Sequence, residues 1–140
     1  MSYRLSFDHA DQQLDVIHAY LAQAYWSPGI PRETVAKAIK GSLCIGVFAE
    51  DGAQVGFARV ITDRATFAYL ADVFIVDGHG GQGLAQRMVR ALQDHPEMQG
   101  LRRWMLATSD AHGVYEKCGF TALANPDIMM EINRPDIYRK

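Results

Sequence analysis

Residues that could do chemistry are concentrated between Tyr69 and Leu92, in the stretch YLADVFIVDGHGGQGLAQRMVRAL. An apolar run of strand type stops at Asp77, glycines follow at Gly78, Gly80, Gly81 and Gly83, and a helical pattern begins around Gln82. A strand, a glycine-rich turn and a helix leave backbone N–H groups bare beside the positive end of a helix dipole. Such a turn is suited to holding a phosphate or pyrophosphate. Just upstream, Asp72 puts one carboxylate into a strand that reads as apolar on both faces, with Leu70, Phe74 and Val76 on one and Tyr69, Ala71, Val73 and Ile75 on the other. That carboxylate is costly to bury unless it is hydrogen-bonded or faces a wet cleft. Asp72 is therefore a base or substrate anchor, or else the structural partner of nearby backbone or of a Tyr or Arg.

The elements that must position these groups are legible in the pattern. Residues 3–7 alternate apolar and polar as a short strand, and Asp8 or Asp11 can cap a helix carrying Leu14, Ile17, Leu21 and Ala24 at helical spacing. That helix is expected to end near Tyr25 and Trp26, since Ser27-Pro28-Gly29-Ile30-Pro31 cannot continue it. Pro31 suits the first position of a second helix with Val35, Ala38 and Ile39 inside. Strands over 43–49 and 55–62 are joined through Asp51-Gly52 as an antiparallel hairpin, and Asp63-Arg64-Ala65 turns the chain into a third strand over 66–76. After the glycine loop come a helix with Leu84, Ala85, Met88, Val89 and Leu92 inside, a strand over 101–108, a short helix over 111–117 and a last strand over 128–133. The order βααβββαβαβ is an α/β fold of α+β type, a mixed, mostly antiparallel central sheet flanked by helices, with one parallel step in a right-handed βαβ unit. Residues 1–140 read as one domain.

Composition narrows the partners. Hydrophobic residues at 49% and charged residues at 21% are globular values, and a formal charge of -2 leaves no global basic field for nucleic acid. The residues up to Tyr25 include Arg4, Asp8, Asp11 and Asp15, so no signal peptide is expected, and no segment reaches the roughly 18 apolar residues that span a bilayer. Two cysteines, Cys44 and Cys118, are too few for a disulfide framework and read as reduced thiols of a cytoplasmic protein. The histidines are scattered, without HxH or HExxH, so no metal is expected. Cys118 could suggest a covalent acyl-enzyme, but no His stands at a diagnostic position and Cys is commonly a small buried hydrophobe.

The glycine loop admits two ligands. Gly78, Gly80 and Gly83 satisfy G-x-G-x-x-G, the dinucleotide fingerprint, yet the motif follows an antiparallel meander halfway along a short chain, with Asp110 only arguably at the acidic position of the next strand. The stretch Gly81-Gln82-Gly83-Leu84-Ala85 instead resembles the R/Q-G-x-G-x-G/A loop of the GCN5-related N-acetyltransferase (GNAT) superfamily, which holds the pyrophosphate of acetyl-CoA. The segment Ala111-His112-Gly113-Val114-Tyr115-Glu116-Lys117-Cys118-Gly119-Phe120 is similar to that superfamily's A-x-x-L-Y-x-K-x-G-F. The two matches stand in the family's order, separated by a helix and a strand. Two departures stand out: Gly80 occupies the usual Arg or Gln position, for which Arg87 or Arg90 could compensate, and Thr108 replaces a common Asn.

The resemblance implies an acetyl-CoA-dependent N-acetyltransferase that transfers an acetyl group to a primary amine by direct attack on the thioester, with coenzyme A as cosubstrate and no metal. It assigns cofactor binding to Val73, Phe74, Ile75, Val76, Gly81, Gln82, Gly83, Leu84, Ala85, Gln86, Thr108 and Ala111. It makes Tyr115 the general acid for the leaving thiolate and Asp72 the candidate base. Acceptor residues by location are Tyr25, Trp26, Arg59, Phe67 and Tyr69, with Arg32 and Glu33 near them. The acceptor is a small-molecule or peptide amine, with neither nucleic acid nor membrane as partner and a homodimer left open. The competing readings are a non-catalytic acyl-CoA-binding sensor or partner module and, from the literal glycine motif, a nucleotide-dependent oxidoreductase.

Overall fold

The computed structural model of the chain describes residues 2–139. Strand β2 (Leu43–Phe48), buried at every position, lies centrally because its alternate side chains feed two separate cores. It is flanked by β1 (Arg4–Ser6) and β3 (Gln54–Thr62), and β3 by β4 (Phe67–Ile75), all antiparallel. The last strand, β5 (Arg103–Met105), pairs parallel to β4, giving the order β1-β2-β3-β4-β5. The expected fold class, a mixed sheet flanked by helices, is the one observed.

One core lies under α3 (Leu84–Asp94), whose Leu84, Met88, Val89 and Leu92 recur at helical spacing and pack on Leu43, Ile45, Val47 and Val60. The other face carries α1 (Leu14–Leu21) and α2 (Arg32–Lys40), whose Ile17, Leu21, Val35 and Ile39 pack on Cys44, Phe57 and Phe74. Gln54, only 3% exposed, ties the entry of α1 to the hairpin. Its Oε1 accepts from the Gln13 N–H at 2.7 Å, and its amide donates to Gln12 Oε1 at 2.9 Å. A Cβ at Gly46 would stand 2.5 Å from Gln12 Oε1, so glycine at that position makes room for the clamp.

Several expected boundaries move for physical reasons. Asp8 caps a 3-10 turn over His9–Asp11, not α1. Helix α1 stops at Leu21, short of Tyr25, because Ser27 Oγ and the Gly29 N–H take the carbonyls of Leu21 and Ala22 that another turn would have used. Helix α3 starts at Leu84, with Gly83 as its cap at φ 72°. Strand β5 is shorter than the apolar run 101–108. The strand expected over 128–133 does not form: residues 126–128 make a 3-10 turn, and the following residues extend without a ladder partner. A pleated pattern becomes a strand only beside another edge.

Candidate active site

The site begins with a bulge in β4. Phe57 pairs with Phe74 and Arg59 with Ala71, so Asp72 and Val73 together oppose Ala58. Asp72 takes the left-handed conformation at φ 56°, which Asp tolerates better than most residues. The extra residue reverses the strand's alternation. Ala68 and Leu70 point into the α3 core, whereas Phe74 points into the α1–α2 core and Val73 and Ile75 pack toward α3. The uniform two-face reading of this strand is thereby corrected.

The bulge also turns the Asp72 carboxylate into a polar knot. Its Oδ2 accepts from Arg59 Nε at 2.6 Å and its Oδ1 from the indole N–H of Trp26 at 2.8 Å. Arg59 donates further to Ser42 Oγ at 3.2 Å. The side chains of Asp72 and Arg59 are 10% and 18% exposed, which makes this a largely desolvated ion pair. Of the alternatives posed for Asp72, structural partnership with an Arg is present in the geometry. Each carboxylate oxygen still keeps acceptor capacity toward the adjoining cavity.

Beyond Tyr69 and Met105 the parallel strands lose their pairing, and the edge of β4 from Leu70 to Ile75 opens onto a cleft. Two cavities occupy it. One, of about 400 Å³, is lined by Tyr25, Trp26, Arg59, Tyr69 and Asp72, and also by Leu106 and Thr108. The other, of about 880 Å³, is lined by Val73 to Asp77 from β4 and the start of its loop, Ala85 from α3 and Val114 from the short helix α4 (His112–Glu116). Tyr25, Trp26, Val73, Asp110, Ala111 and Tyr115 line both. Tyr115 therefore stands where the two spaces meet. Burial pushes its phenol up to about 12, and nearby Tyr25 and Asp110 add to the shift.

The glycine loop connects Asp77 to Leu84 and Ala85, and Asp77 and Ala85 line the larger cleft. Gly78, Gly81 and Gly83 have φ of 92°, 76° and 72°, and a Cβ at any of them would meet nothing within 4 Å. Glycine is demanded there by backbone angle, not by crowding. Gly80 has neither constraint. The loop is tethered by β1 and its flank: Gln82 donates to the Tyr3 hydroxyl at 2.9 Å, and that hydroxyl lies 3.0 Å from His79 Nδ1.

The candidate residues distribute unevenly. Tyr25, Trp26, Arg59, Tyr69 and Asp72 gather around the smaller cavity, and Val73, Phe74, Ile75, Val76, Ala85 and Ala111 around the larger. Gly81, Gln82 and Gly83 belong to the loop, while the Leu84 side chain is buried in the core, leaving its backbone for any ligand, and Gln86 lies on the first turn of α3. Thr108 Oγ1 accepts from the backbone N–H of Asp110 and Ala111, which shapes the turn into α4. Phe67 lies outside the cavity, at the closed end of β4 beside Arg103. Arg32 pairs with Asp15 at 2.7 Å, and neither it nor Glu33 lines the cavity. Of the two arginines on α3, Arg90 donates to the Lys117 carbonyl and Arg87 is exposed.

Three contributors carried no sequence signal of their own. Tyr138 forms part of the smaller cavity's wall from the far end of the chain, Tyr20 stacks on Phe74 at 4.0 Å between centroids, and Tyr3 braces the loop. Among the described residues, no group of three His, Cys, Asp or Glu is placed to hold a metal ion, and no helix is long and apolar enough to cross a membrane.

Known proteins match the chain in sequence and in fold. The family model described as an acetyltransferase (GNAT) domain matches residues 41–122. A provisionally named acetyltransferase of Gibberella zeae is 33% identical, over 82% of this chain and 76% of its own length. A crystal structure assigned provisionally as a GNAT-family acetyltransferase, from Xanthomonas campestris pv. campestris, is 45% identical and superposes with a TM-score of 0.96, covering 100% of this chain and 99% of the other. An acetyltransferase assigned by prediction from Clostridium acetobutylicum, solved with acetyl-CoA, shares the fold at a TM-score of 0.67 and 17% identity, covering 94% of this chain and 95% of its own.

Proposed function

The chain belongs to the GNAT acetyltransferase family, and from that premise we propose that it transfers an acetyl group from acetyl-CoA to a primary amine by direct attack on the thioester. Residues 1–140 act as one domain in this reading, in the cytoplasm. The observation that carries it is the meeting of two cavities at Tyr115.

Acetyl-CoA supplies an already activated acetyl group, so the protein's part is chiefly to hold and align. The larger cleft fits such a ligand: an open β4 edge offers backbone partners to an extended amide arm, and Val73, Ile75 and Val76 offer apolar contact. Backbone N–H groups of residues 81–86, at the start of α3, would take the pyrophosphate. The smaller cavity would take the amine. A lysine-like amine of pKa about 10.4 needs roughly 4 to 5 kcal/mol to shed its proton at pH 7. In this reading Asp72, which lines the smaller cavity, would hold that ammonium and accept the proton, directly or through water.

Tyr115, held near 12 by burial, stays protonated at any working pH. It serves as a hydrogen-bond donor to the sulfur as charge develops there, which is the general-acid position. Cys118 is 7% exposed and its thiol is pushed up by burial, which suits a packing residue better than a nucleophile.

The test is thiol release from acetyl-CoA with a panel of small and peptide amines, repeated with Tyr115→Phe. A loss of roughly a hundredfold in kcat with little change in KM for acetyl-CoA is expected. Unchanged turnover removes Tyr115 from the role, and calorimetric CoA binding without turnover on any amine favours a sensor.

A further inference from the structure

We infer that Asp110 selects the acceptor: its carboxylate anchors the amine's ammonium where the two cavities meet, and the favoured acceptor is a cationic amine of apolar body that carries no carboxylate. The inference rests on the acetyl-transfer reading and names the acceptor's class within it. Of the six described residues that line both cavities, Asp110 is the one with a charge. An acceptor nitrogen that meets a thioester there passes this side chain.

Asp110 is also without a partner. Its backbone N–H donates to Thr108 Oγ1 at 3.4 Å, but its carboxylate accepts no hydrogen bond and enters no ion pair among the described residues. Asp72 differs, because Arg59 Nε stands 2.6 Å from its Oδ2 and the Trp26 indole takes its Oδ1. Arg59, Asp72 and Asp110 are the charges lining the smaller cavity, so the first two offset each other and one negative charge is left. That charge is Asp110's, and a single ammonium balances it. Asp110 thus adds an anchor, while the proton-accepting part stays with Asp72. Its field reaches both banks of the cleft: after burial and Tyr25 it raises the Tyr115 phenol, and after burial and Asp77 it raises that of Tyr20.

The walls choose the rest of the molecule. Tyr25, Trp26, Tyr69, Tyr115 and Tyr138 put five aromatic rings around the smaller cavity. Aromatic faces attract a cation and pack an apolar body, but they repel an anion. Arg59, the one described cation lining either cavity, is already matched by Asp72. An acceptor with a carboxylate would bring a second anion beside Asp110 with no unmatched cation to meet it, a like-charge contact that selects against it.

Phenethylamine and phenylalanine test this, since they share ring and ammonium and differ by one carboxylate. In thiol release from acetyl-CoA, kcat/KM for phenethylamine should exceed that for phenylalanine by at least about tenfold. Asp110→Asn should raise the KM for phenethylamine about tenfold and shrink that preference severalfold, with the melting temperature unmoved. Calorimetry of phenethylamine with CoA-saturated protein reads the same contact without turnover, and the affinity should fall about tenfold in the variant. Absence of phenethylamine binding, equal use of the two acceptors, or a KM and affinity indifferent to Asp110→Asn overturns the inference. Binding that depends on Asp110, with no acetylation of any amine, supports the inference and sinks the acetyl-transfer reading instead.

Discussion

Asp72 and Arg59 face each other across the β3–β4 ladder, with Arg59 Nε donating to Asp72 Oδ2 at 2.6 Å at the point where β4 carries one residue too many. The pair joins two requirements. The bulge needs a residue that tolerates φ 56°, and Arg59 needs a carboxylate in a largely desolvated place. Asp satisfies both.

Substitutions at this position should therefore separate charge from backbone. Asp72→Asn keeps tolerance of the left-handed conformation but strands the guanidinium, and should lower urea-unfolding stability by roughly 2 to 4 kcal/mol. Combining it with Arg59→Met should recover most of that loss. Asp72→Ala adds strain of about 1 to 2 kcal/mol from the positive φ. If the Asn variant unfolds at the wild-type urea midpoint, the pair is not what holds the bulge.

The glycine loop makes a contrasting prediction. Gly83→Ala forces a side chain onto φ 72° at the helix cap, and should cost about 1 kcal/mol of stability and weaken CoA binding in calorimetry. Gly80→Arg meets neither a positive φ nor a neighbour within 4 Å. It should leave the melting temperature unchanged and tighten CoA binding severalfold, by adding a cation beside the bare amides. Equal damage from both variants would deny that backbone angle governs the loop.

Tyr3→Phe removes only a hydroxyl, but that hydroxyl accepts from Gln82 and sits against His79. Global stability should fall by no more than about 1 kcal/mol. Affinity for CoA should fall more, severalfold, because the loop loses its brace while the acceptor cavity is untouched. An unchanged CoA affinity would show that the loop is held without Tyr3.

Alkaline stability should be set in part by Cys44. The thiol is 0% exposed, and burial pushes it from 9.0 to about 12, so above pH 9 the unfolded chain releases this proton while the native chain keeps it. Stability is then full below pH 9 and declines as pH rises toward 12, by about 1.4 kcal/mol per pH unit from this group. Tyr115, raised in the same direction from 10.0, steepens the decline above pH 10. Urea titrations of Cys44→Ala should show a shallower slope between pH 9 and 10. An identical slope would mean that the thiol does not contribute.

Local features were the legible ones. The glycines could be read because positive φ is demanded by the chain itself, and α3 because its apolar period survives any surroundings. The bulge was hidden: nothing in Leu70-Ala71-Asp72-Val73 says that alternation reverses there, since only the pairing with Ala58 creates it. Tyr3 and Tyr138 act across most of the chain's length, which no local pattern records. The strand expected over 128–133 had the right composition and failed for want of a neighbour, a tertiary fact.

Tyr138 gives the fold one more property. It walls the smaller cavity and its backbone carbonyl lies against Gly29, yet it is carried at the end of an exposed arm, residues 121–137. Whatever arrests that arm also shapes the chamber in which an amine would sit. The order of the arm and the affinity for the acceptor are thereby thermodynamically linked, and linkage is reciprocal. An acceptor that prefers the arrested arm holds it in place, and a change that frees the arm loosens the grip on the acceptor.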